Sequence, residues 1–307
     1  MTIMKYSQLT GSMSYDKMKE ICKKNNAPNL NIRKMGRFYT ELLFLSKYAK
    51  KGDRILYVGA APGLHIWKLA DLFPKCDFEL WDPLEIKTPD RKNIIKFTAP
   101  FTDQDAREYS KYGKKILFIS DILNLNVWKS IRNDDSDELY KLVDSDMDAQ
   151  KKWCQIIVPK IAYMKFRLPY DGSLCKYFVG TLYLNPYLSV TSEALLSTSD
   201  YETLVPYDSE EFDGKISYYH ATYRCNEPKK TIWFDIMQEN KIKYIHDNIQ
   251  ALKIANMYVM SKKDYPKTKK KQLQACVDFF LESIKDMNDD MSNIPSKLCH
   301  SPSNNIS

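Results

Sequence analysis

The sequence predicts an α/β protein with a Rossmann-like, mainly parallel and doubly wound sheet, and with helical additions at both ends. Two observations lead to this prediction. Residues 54–65, RILYVGAAPGLH, combine a short apolar run with a glycine turn, and a helical pattern follows them. Strand and helix patterns then alternate to about residue 200, which is typical of parallel strands joined by helices.

The first part of the chain precedes this alternation. Residues 1–30 are polar and predict an N-terminal extension with one helix over residues 15–24. Residues 35–51 predict an amphipathic helix, because Phe38, Leu42, Leu45 and Ala49 recur at helical spacing. This helix would lie directly before the first strand.

Residues 31–286 are predicted to form a single domain. Within it, residues 200–215 have the acidic character of a loop, and residues 270–284 predict an amphipathic helix. Residues 287–307, rich in Asn, Asp, Ser and Pro, predict a disordered tail. Later strands are predicted at residues 115–121, 160–165 and 193–197.

Composition excludes several classes of protein. The 307 residues carry a net charge of +7, compatible with a polyanionic partner. The seven cysteines contain no CxxC pair and the four histidines are dispersed, so no structural metal is expected. The odd cysteine count and the lack of a signal peptide favour a reducing cytosolic setting. No apolar stretch approaches the roughly 20 residues of a membrane span.

The glycine turn predicts a nucleotide site. Gly59 and Gly63 permit backbone conformations and close approaches that other residues avoid. The loop lacks the Lys-Ser/Thr ending of a phosphate-binding loop, and Asp82, after the second strand, is placed to accept ribose hydroxyls. These features favour an adenosine ligand without phosphates, such as S-adenosylmethionine. A purely structural turn of a Rossmann-like domain is the alternative.

Charged residues stand at the ends of further predicted strands. Asp121 and Lys165 end two of them, and Glu193 begins a strand that reaches the same rim if it runs antiparallel. Each of these charged residues could instead simply be exposed to solvent at the end of its strand. Together, a lysine between two carboxylates beside a methyl donor suits the deprotonation of an alcohol.

The chain resembles a known family, the poxvirus cap-specific mRNA (nucleoside-2′-O-)-methyltransferases. Members of that family also serve as the small, stimulatory subunit of poly(A) polymerase. The resemblance covers roughly residues 30–285. It is carried, in the family's order, by residues 41–47, 57–65, 118–121, 164–170 and 192–197.

The resemblance implies an S-adenosylmethionine-dependent methyltransferase fold. It also implies methylation of the ribose 2′-hydroxyl of the first transcribed nucleotide of 7-methylguanosine-capped mRNA. The family has a Lys-Asp-Lys-Glu tetrad, whose last three members correspond to Asp121, Lys165 and Glu193. Its first lysine corresponds to Lys34 if a two-residue insertion follows, and Arg37 is the alternative. Arginine could supply charge but would be a poor general base.

The implied mechanism is in-line methyl transfer without a metal. Lys165 would take the proton of the hydroxyl as a neutral amine, a form that a nearby cation at Lys34 or Arg37 favours. Asp121 and Glu193 would orient the lysine and the ribose.

By the same resemblance, the cofactor residues are Tyr57, Gly59, Ala60, Gly63, His65 and Asp82, with Phe101 and Thr102 bordering the adenine. Tyr170 would stack on 7-methylguanine, and Asp171 would accept hydrogen bonds from that base. A second acid is expected from Asp213, preferred over Glu211, and a second aromatic ring from Tyr15.

The resemblance also defines the expected partners and the alternatives. Capped mRNA is the expected substrate, and a poly(A) polymerase or the capping machinery is the expected protein partner. A viral or virus-like element acting in the cytoplasm is the expected source. The chain could instead be a non-catalytic processivity subunit that holds RNA, or a 2′-O-methyltransferase of other RNAs.

Overall fold

The computed structural model describes residues 4–25, 33–124, 136–169, 172–187, 193–226, 228–262 and 264–287. The strands are β1 Arg54–Val58, β2 Asp77–Asp82, β3 Ile94–Thr98, β4 Ile116–Ser120, β5 Ile161–Phe166, β6 Leu174–Phe178, β7 Thr181–Leu184, β8 Ala194–Thr198 and β9 Leu204–Asp208. The α-helices are α1 Tyr15–Lys24, α2 Arg33–Tyr48, α3 Ile66–Leu72, α4 Asp103–Ser110, α5 Ser136–Ile157, α6 Ser209–Tyr219, α7 Phe234–Glu239, α8 His246–Met260 and α9 Lys269–Asp286.

Seven of the described strands form one mixed sheet in the order β3-β2-β1-β4-β5-β8-β7. The first five are parallel, and β8 pairs antiparallel with both β5 and β7. The chain runs outward in one direction from β1 to β3 and in the other from β4 to β5. The boundary between β1 and β4 is therefore the topological switch point, where open α/β sheets bind ligands beyond the carboxyl ends of their strands.

Helices cover both faces of this sheet, because each buried strand alternates its side chains between two cores. On β4, Leu117 and Ile119 join a core with residues of α2, α3, α8 and α9. Ile116 and Phe118 join a second core with residues of α4, α5 and α6. The mainly parallel α/β sheet is confirmed, and its layout is compatible with a Rossmann-like fold.

The prediction for residues 200–215 was wrong. Strand β9 pairs antiparallel with β6 in a small second sheet, and α6 begins directly after it at Ser209. One of the acidic residues, Asp208, caps α6, because its side chain accepts the N–H of Glu211 at 2.8 Å. Local composition resembled a loop because this short strand alternates exposed and half-buried residues.

The described N-terminal residues pack against the rest of the chain. Leu9 is buried in the second core, and Lys5 forms an antiparallel bridge with Tyr183. Helix α1 occupies the residues predicted for it. Cys22 at its end forms a disulfide with Cys225, across 203 positions of sequence. This bond runs against the expectation of reduced cysteines, which could not anticipate two distant residues meeting in space.

Candidate active site

A glycine loop after β1 forms the centre of the site. The φ angle of Gly59 is +82°, a conformation that side chains disfavour. A Cβ atom at Gly59 would lie 2.7 Å from the carbonyl carbon of Asp121 and the nitrogen of Ile122. Glycine is therefore required for the β1 loop to approach the end of β4. Gly63, with φ +64°, makes the next turn before α3.

Asp82 supports this loop from the end of β2. Its Oδ2 accepts the N–H of Ala61 at 3.0 Å, and its Oδ1 accepts the N–H of Leu84 at 2.8 Å. The side chain is buried. Asp82 thus orders the glycine loop by binding its backbone.

Glu41 on α2 joins two of the predicted cofactor residues. It accepts the Tyr57 hydroxyl at 2.7 Å and lies 2.9 Å from His65 Nε2. Burial, and then the Glu41 charge, raise the pKa of Tyr57 well above its usual value, so its hydroxyl remains a donor. Sequence reasoning assigned Glu41 no role. The sequence does hint at a buried role, because Glu41 directly precedes Leu42 and so lies beside the apolar face of the helix.

A cavity of about 510 Å³ opens between this loop and the end of β4. This size suits a small organic ligand rather than a single ion. The cavity combines backbone groups and apolar side chains with a few charged groups. Its lining includes Lys34, Arg37, Tyr57, residues 59–65, Asp121, Leu123, Lys165 and Met287.

Three charged side chains line one wall of the cavity, and Glu193 joins them through Arg37. Lys165 Nζ lies 2.6 Å from Asp121 Oδ1. Arg37 Nη2 lies 2.7 Å from the same Asp121 oxygen and 2.8 Å from Glu193 Oε1. The structure brings Asp121, Lys165 and Glu193 together although 28 to 72 positions separate them in the chain.

Arg37, rather than Lys34, contacts the carboxylates of this cluster. Lys34 lines the same cavity, but its Nζ donates to the backbone carbonyl of Met287 at 2.8 Å. Burial alone would lower the pKa of Arg37, but Asp121 and Glu193 raise it above its usual value. Arg37 therefore remains a permanent cation, able to attract carboxylates but not to accept a proton.

Phe101 and Thr102 follow β3 at the same edge of the sheet, outside the residues that line the cavity. Phe101 is buried against the Trp81 and Trp153 rings, with centroids at 5.3 and 5.1 Å. Thr102 caps α4, and its hydroxyl accepts the N–H of Asp105 at 3.3 Å. Phe101 therefore packs in the protein interior, and Thr102 stabilises the start of α4.

Two of the four predicted cap-binding residues, Tyr15 and Asp213, lie in the described part of the chain. Tyr170 and Asp171 lie outside the described residues. Tyr15 begins α1 with half of its surface exposed, and Asp213 is partly buried on α6. These two elements adjoin, since the N–H of Met13 donates to the carbonyl of Gly214 at 3.1 Å. The less favoured acid, Glu211, is ion-paired with Lys215.

No group of three or more His, Cys, Asp and Glu side chains in the described part of the chain is arranged to hold a metal ion. None of the helices described combines the length and apolar character that crossing a bilayer requires.

Comparison with known proteins provides an independent result. A family model described as "Poly A polymerase regulatory subunit" matches residues 2–286. The chain is also 25% identical, over 206 residues, to proteins named cap-specific mRNA (nucleoside-2′-O-)-methyltransferase from the Lausanne and Uriarra strains of Myxoma virus. The aligned region covers 60% of this chain and 59% of each relative. Because the family model spans nearly the whole chain, the chain belongs to the poly(A) polymerase regulatory subunit family.

Proposed function

We propose that the chain is an S-adenosylmethionine-dependent methyltransferase that modifies capped mRNA. Its target would be the ribose 2′-hydroxyl of the first transcribed nucleotide. The observation that carries the proposal is the position of Lys165. Its amine lies against Asp121 in the wall of a cavity that a glycine loop forms at the switch point of the sheet.

The cavity fits the cofactor in size and chemistry. Its volume of about 510 Å³ matches a small-molecule site, and its loop carries no phosphate-binding lysine. Bound S-adenosylmethionine supplies a methyl group on a positively charged sulfur. Gly59, Ala60 and Gly63 would contact it through backbone atoms, and Glu41 would hold Tyr57 and His65 in place. Asp82 would order the loop and accept a ribose hydroxyl with a remaining lone pair.

Lys165 would activate the nucleophile. A neutral amine at Nζ accepts the proton of the ribose hydroxyl as the oxygen acquires its methyl group. Asp121 fixes the direction of the amine, and Arg37 places a cation beside that carboxylate. Glu193 would position Arg37 and the ribose.

Cap recognition would use residues beyond the cavity. Tyr170 follows β5 by four positions and would stack on the positively charged 7-methylguanine, with Asp171 accepting from the base. Asp213 and Tyr15 would complete the pocket from α6 and α1. Phe101 and Thr102, from their position after β3, would border the adenine of the cofactor.

The family supports a second candidate function, that of an RNA-binding subunit that keeps a poly(A) polymerase on its primer. The observation that favours it is the match to the regulatory-subunit family over residues 2–286. A net charge of +7 suits contact with an RNA backbone. Both functions belong to a viral element that processes its mRNA in the cytoplasm. The Myxoma virus relatives support that setting.

One assay tests the proposal. Purified protein is incubated with S-adenosylmethionine carrying a labelled methyl group, and with short RNA that is 7-methylguanosine-capped or uncapped. Label is expected in a nuclease-resistant capped dinucleotide. Labelling of neither RNA rejects the enzyme. Equal labelling of both rejects cap specificity. Longer poly(A) tails made by an added viral polymerase would support the second function independently.

A further inference from the structure

A small cavity lies behind Lys165, separate from the large cavity at the switch point. It leaves about 10 Å³ for the centre of a water molecule, which is room for one water. Its polar lining consists of Asp146, Gln150, Lys165 and Arg167. Lys165 lines both cavities and so connects them.

Gln150 presents an unsatisfied acceptor at this place. The residue is 1% exposed, and its Nε2 donates to the backbone carbonyl of Lys165 at 2.6 Å. That bond fixes which amide atom is nitrogen, because a carbonyl can only accept. Its Oε1 is buried and has no hydrogen-bond partner in the described part of the chain. A buried carbonyl oxygen without a donor is costly, and a bound water is its usual remedy.

Asp146 lies one helical turn before Gln150 on α5, so both side chains project from the same face of that helix. Its Oδ2 accepts the N–H of Asn124 at 2.9 Å, and the residue remains partly exposed. Burial raises the pKa of the Asp146 carboxyl, although the Asn124 N–H and the charges of Lys165 and Arg167 oppose this shift. A carboxylate in this position can accept a proton and release it to solvent.

We propose that the small cavity binds one water molecule, hydrogen-bonded to Gln150 Oε1, that relays the proton of Lys165 to Asp146. This inference rests on the proposed function. The ribose hydroxyl loses its proton to Nζ when its oxygen forms the new bond to the methyl carbon. Nζ then donates one proton to the water, which passes one to the Asp146 carboxylate, and Asp146 releases it to solvent. The amine is again neutral, and one proton has left per methyl group transferred.

The positions of the two cavities explain why a proton relay would be needed. The front of Lys165 faces Asp121 and the large cavity, which substrate would fill during the reaction. Asp121 is already shared between Lys165 and Arg37. Lys165 also lines the small cavity, whose acidic residue Asp146 is partly exposed to solvent.

A crystal structure at high resolution tests the water without reference to activity. An ordered water is expected within hydrogen-bond distance of both Gln150 Oε1 and Asp146. Density showing that Gln150 Oε1 has a protein partner, with no water there, overturns the site. Val143 also lines this cavity, so Val143→Ile should displace the water and slow methyl transfer while the melting temperature and cofactor binding persist. Unchanged transfer in a variant shown to lack the water overturns the relay.

Chemical rescue tests the relay itself. Asp146→Ala should lower kcat by about a hundredfold, the lower end of the range for a lost proton-transfer group. Formate, which fits the space left by the carboxylate, should restore the rate in proportion to its concentration. Asp148→Ala removes an exposed carboxylate of the same helix and should leave kcat unchanged. Full activity of Asp146→Ala, or a loss that formate cannot restore, overturns the relay. Wild-type protein inactive on capped RNA rejects the proposed function instead, and the crystal structure still decides the water site.

Discussion

Arg37 Nη2 lies 2.7 Å from the Asp121 oxygen that Lys165 Nζ contacts at 2.6 Å, so one carboxylate holds two cations at the end of β4. Burial strengthens such contacts and also makes each partner costly to lose. The arrangement places a permanent cation beside an amine that the proposed reaction needs in its neutral form. The consequences can be measured residue by residue.

Lys165→Ala is expected to abolish methyl transfer, by at least about a hundredfold, because it removes the proposed general base. Binding of S-adenosylhomocysteine, measured by calorimetry, should persist, since the glycine loop is unchanged. Lys92→Ala, an exposed lysine before β3, is the control and should keep its activity. Substantial activity in Lys165→Ala would show that another group is the base.

Replacing Arg37 and Lys34 separately distinguishes the two candidate cations. Arg37→Ala removes the guanidinium between two largely buried carboxylates, so we expect a loss of about 3–5 kcal/mol in the free energy of unfolding. Lys34→Ala removes the hydrogen bond to the Met287 carbonyl, and this loss should cost about 1–2 kcal/mol. Urea denaturation measures both. The reverse order of effects would contradict the contacts seen here.

Tyr170→Ala is expected to weaken binding of capped RNA by roughly tenfold, the effect of losing a ring that stacks on a cationic base. Affinity for uncapped RNA of the same sequence should not change, and fluorescence anisotropy measures both. Equal affinities of wild type and variant for capped RNA would exclude Tyr170 from the cap pocket.

The Cys22–Cys225 disulfide can be tested by alkylating the free thiols of the protein. In denatured, unreduced protein, Cys22 and Cys225 should not react with an alkylating agent, whereas the four free cysteines of the described residues should. Reduction should lower the free energy of unfolding by about 2–5 kcal/mol, since the bond closes a very long loop. Alkylation of Cys22 and Cys225 before reduction would show that these two cysteines are free in the purified protein.

His246 predicts how stability depends on pH. Burial lowers the pKa of this histidine from 6.5 to about 4, and its ring packs against Tyr219. Between these values the unfolded chain binds a proton that the folded chain does not, so stability should fall as pH decreases from 6.5 to 4. The loss from this residue is about 3 kcal/mol at most.

His246→Phe keeps an aromatic ring but does not titrate, so its free energy of unfolding should fall less over this interval. Urea denaturation at several pH values compares the two proteins. An unchanged slope in the variant would mean that other groups cause the acid sensitivity.

Sequence periodicity determined much of the framework. The glycine turn after β1, the strands ending near Asp121 and Lys165, and helices α1, α2 and α9 were predictable, because apolar spacing and glycine conformation act over a few residues. The pattern failed at residues 204–208, where a short edge strand buries too few side chains to differ from a loop.

Only the tertiary structure decided which residues that are distant in sequence come into contact. The family resemblance left Lys34 and Arg37 as alternatives for the first tetrad position. The choice depends on which side of α2 faces the end of β4, and helix packing directs Arg37 there while Lys34 reaches the end of α9. The same packing brings Glu41 to Tyr57 and His65, and Gln150 to the backbone of Lys165. These contacts join distant segments, so residue type alone predicted which groups the chemistry needs, and the fold decided which of them meet.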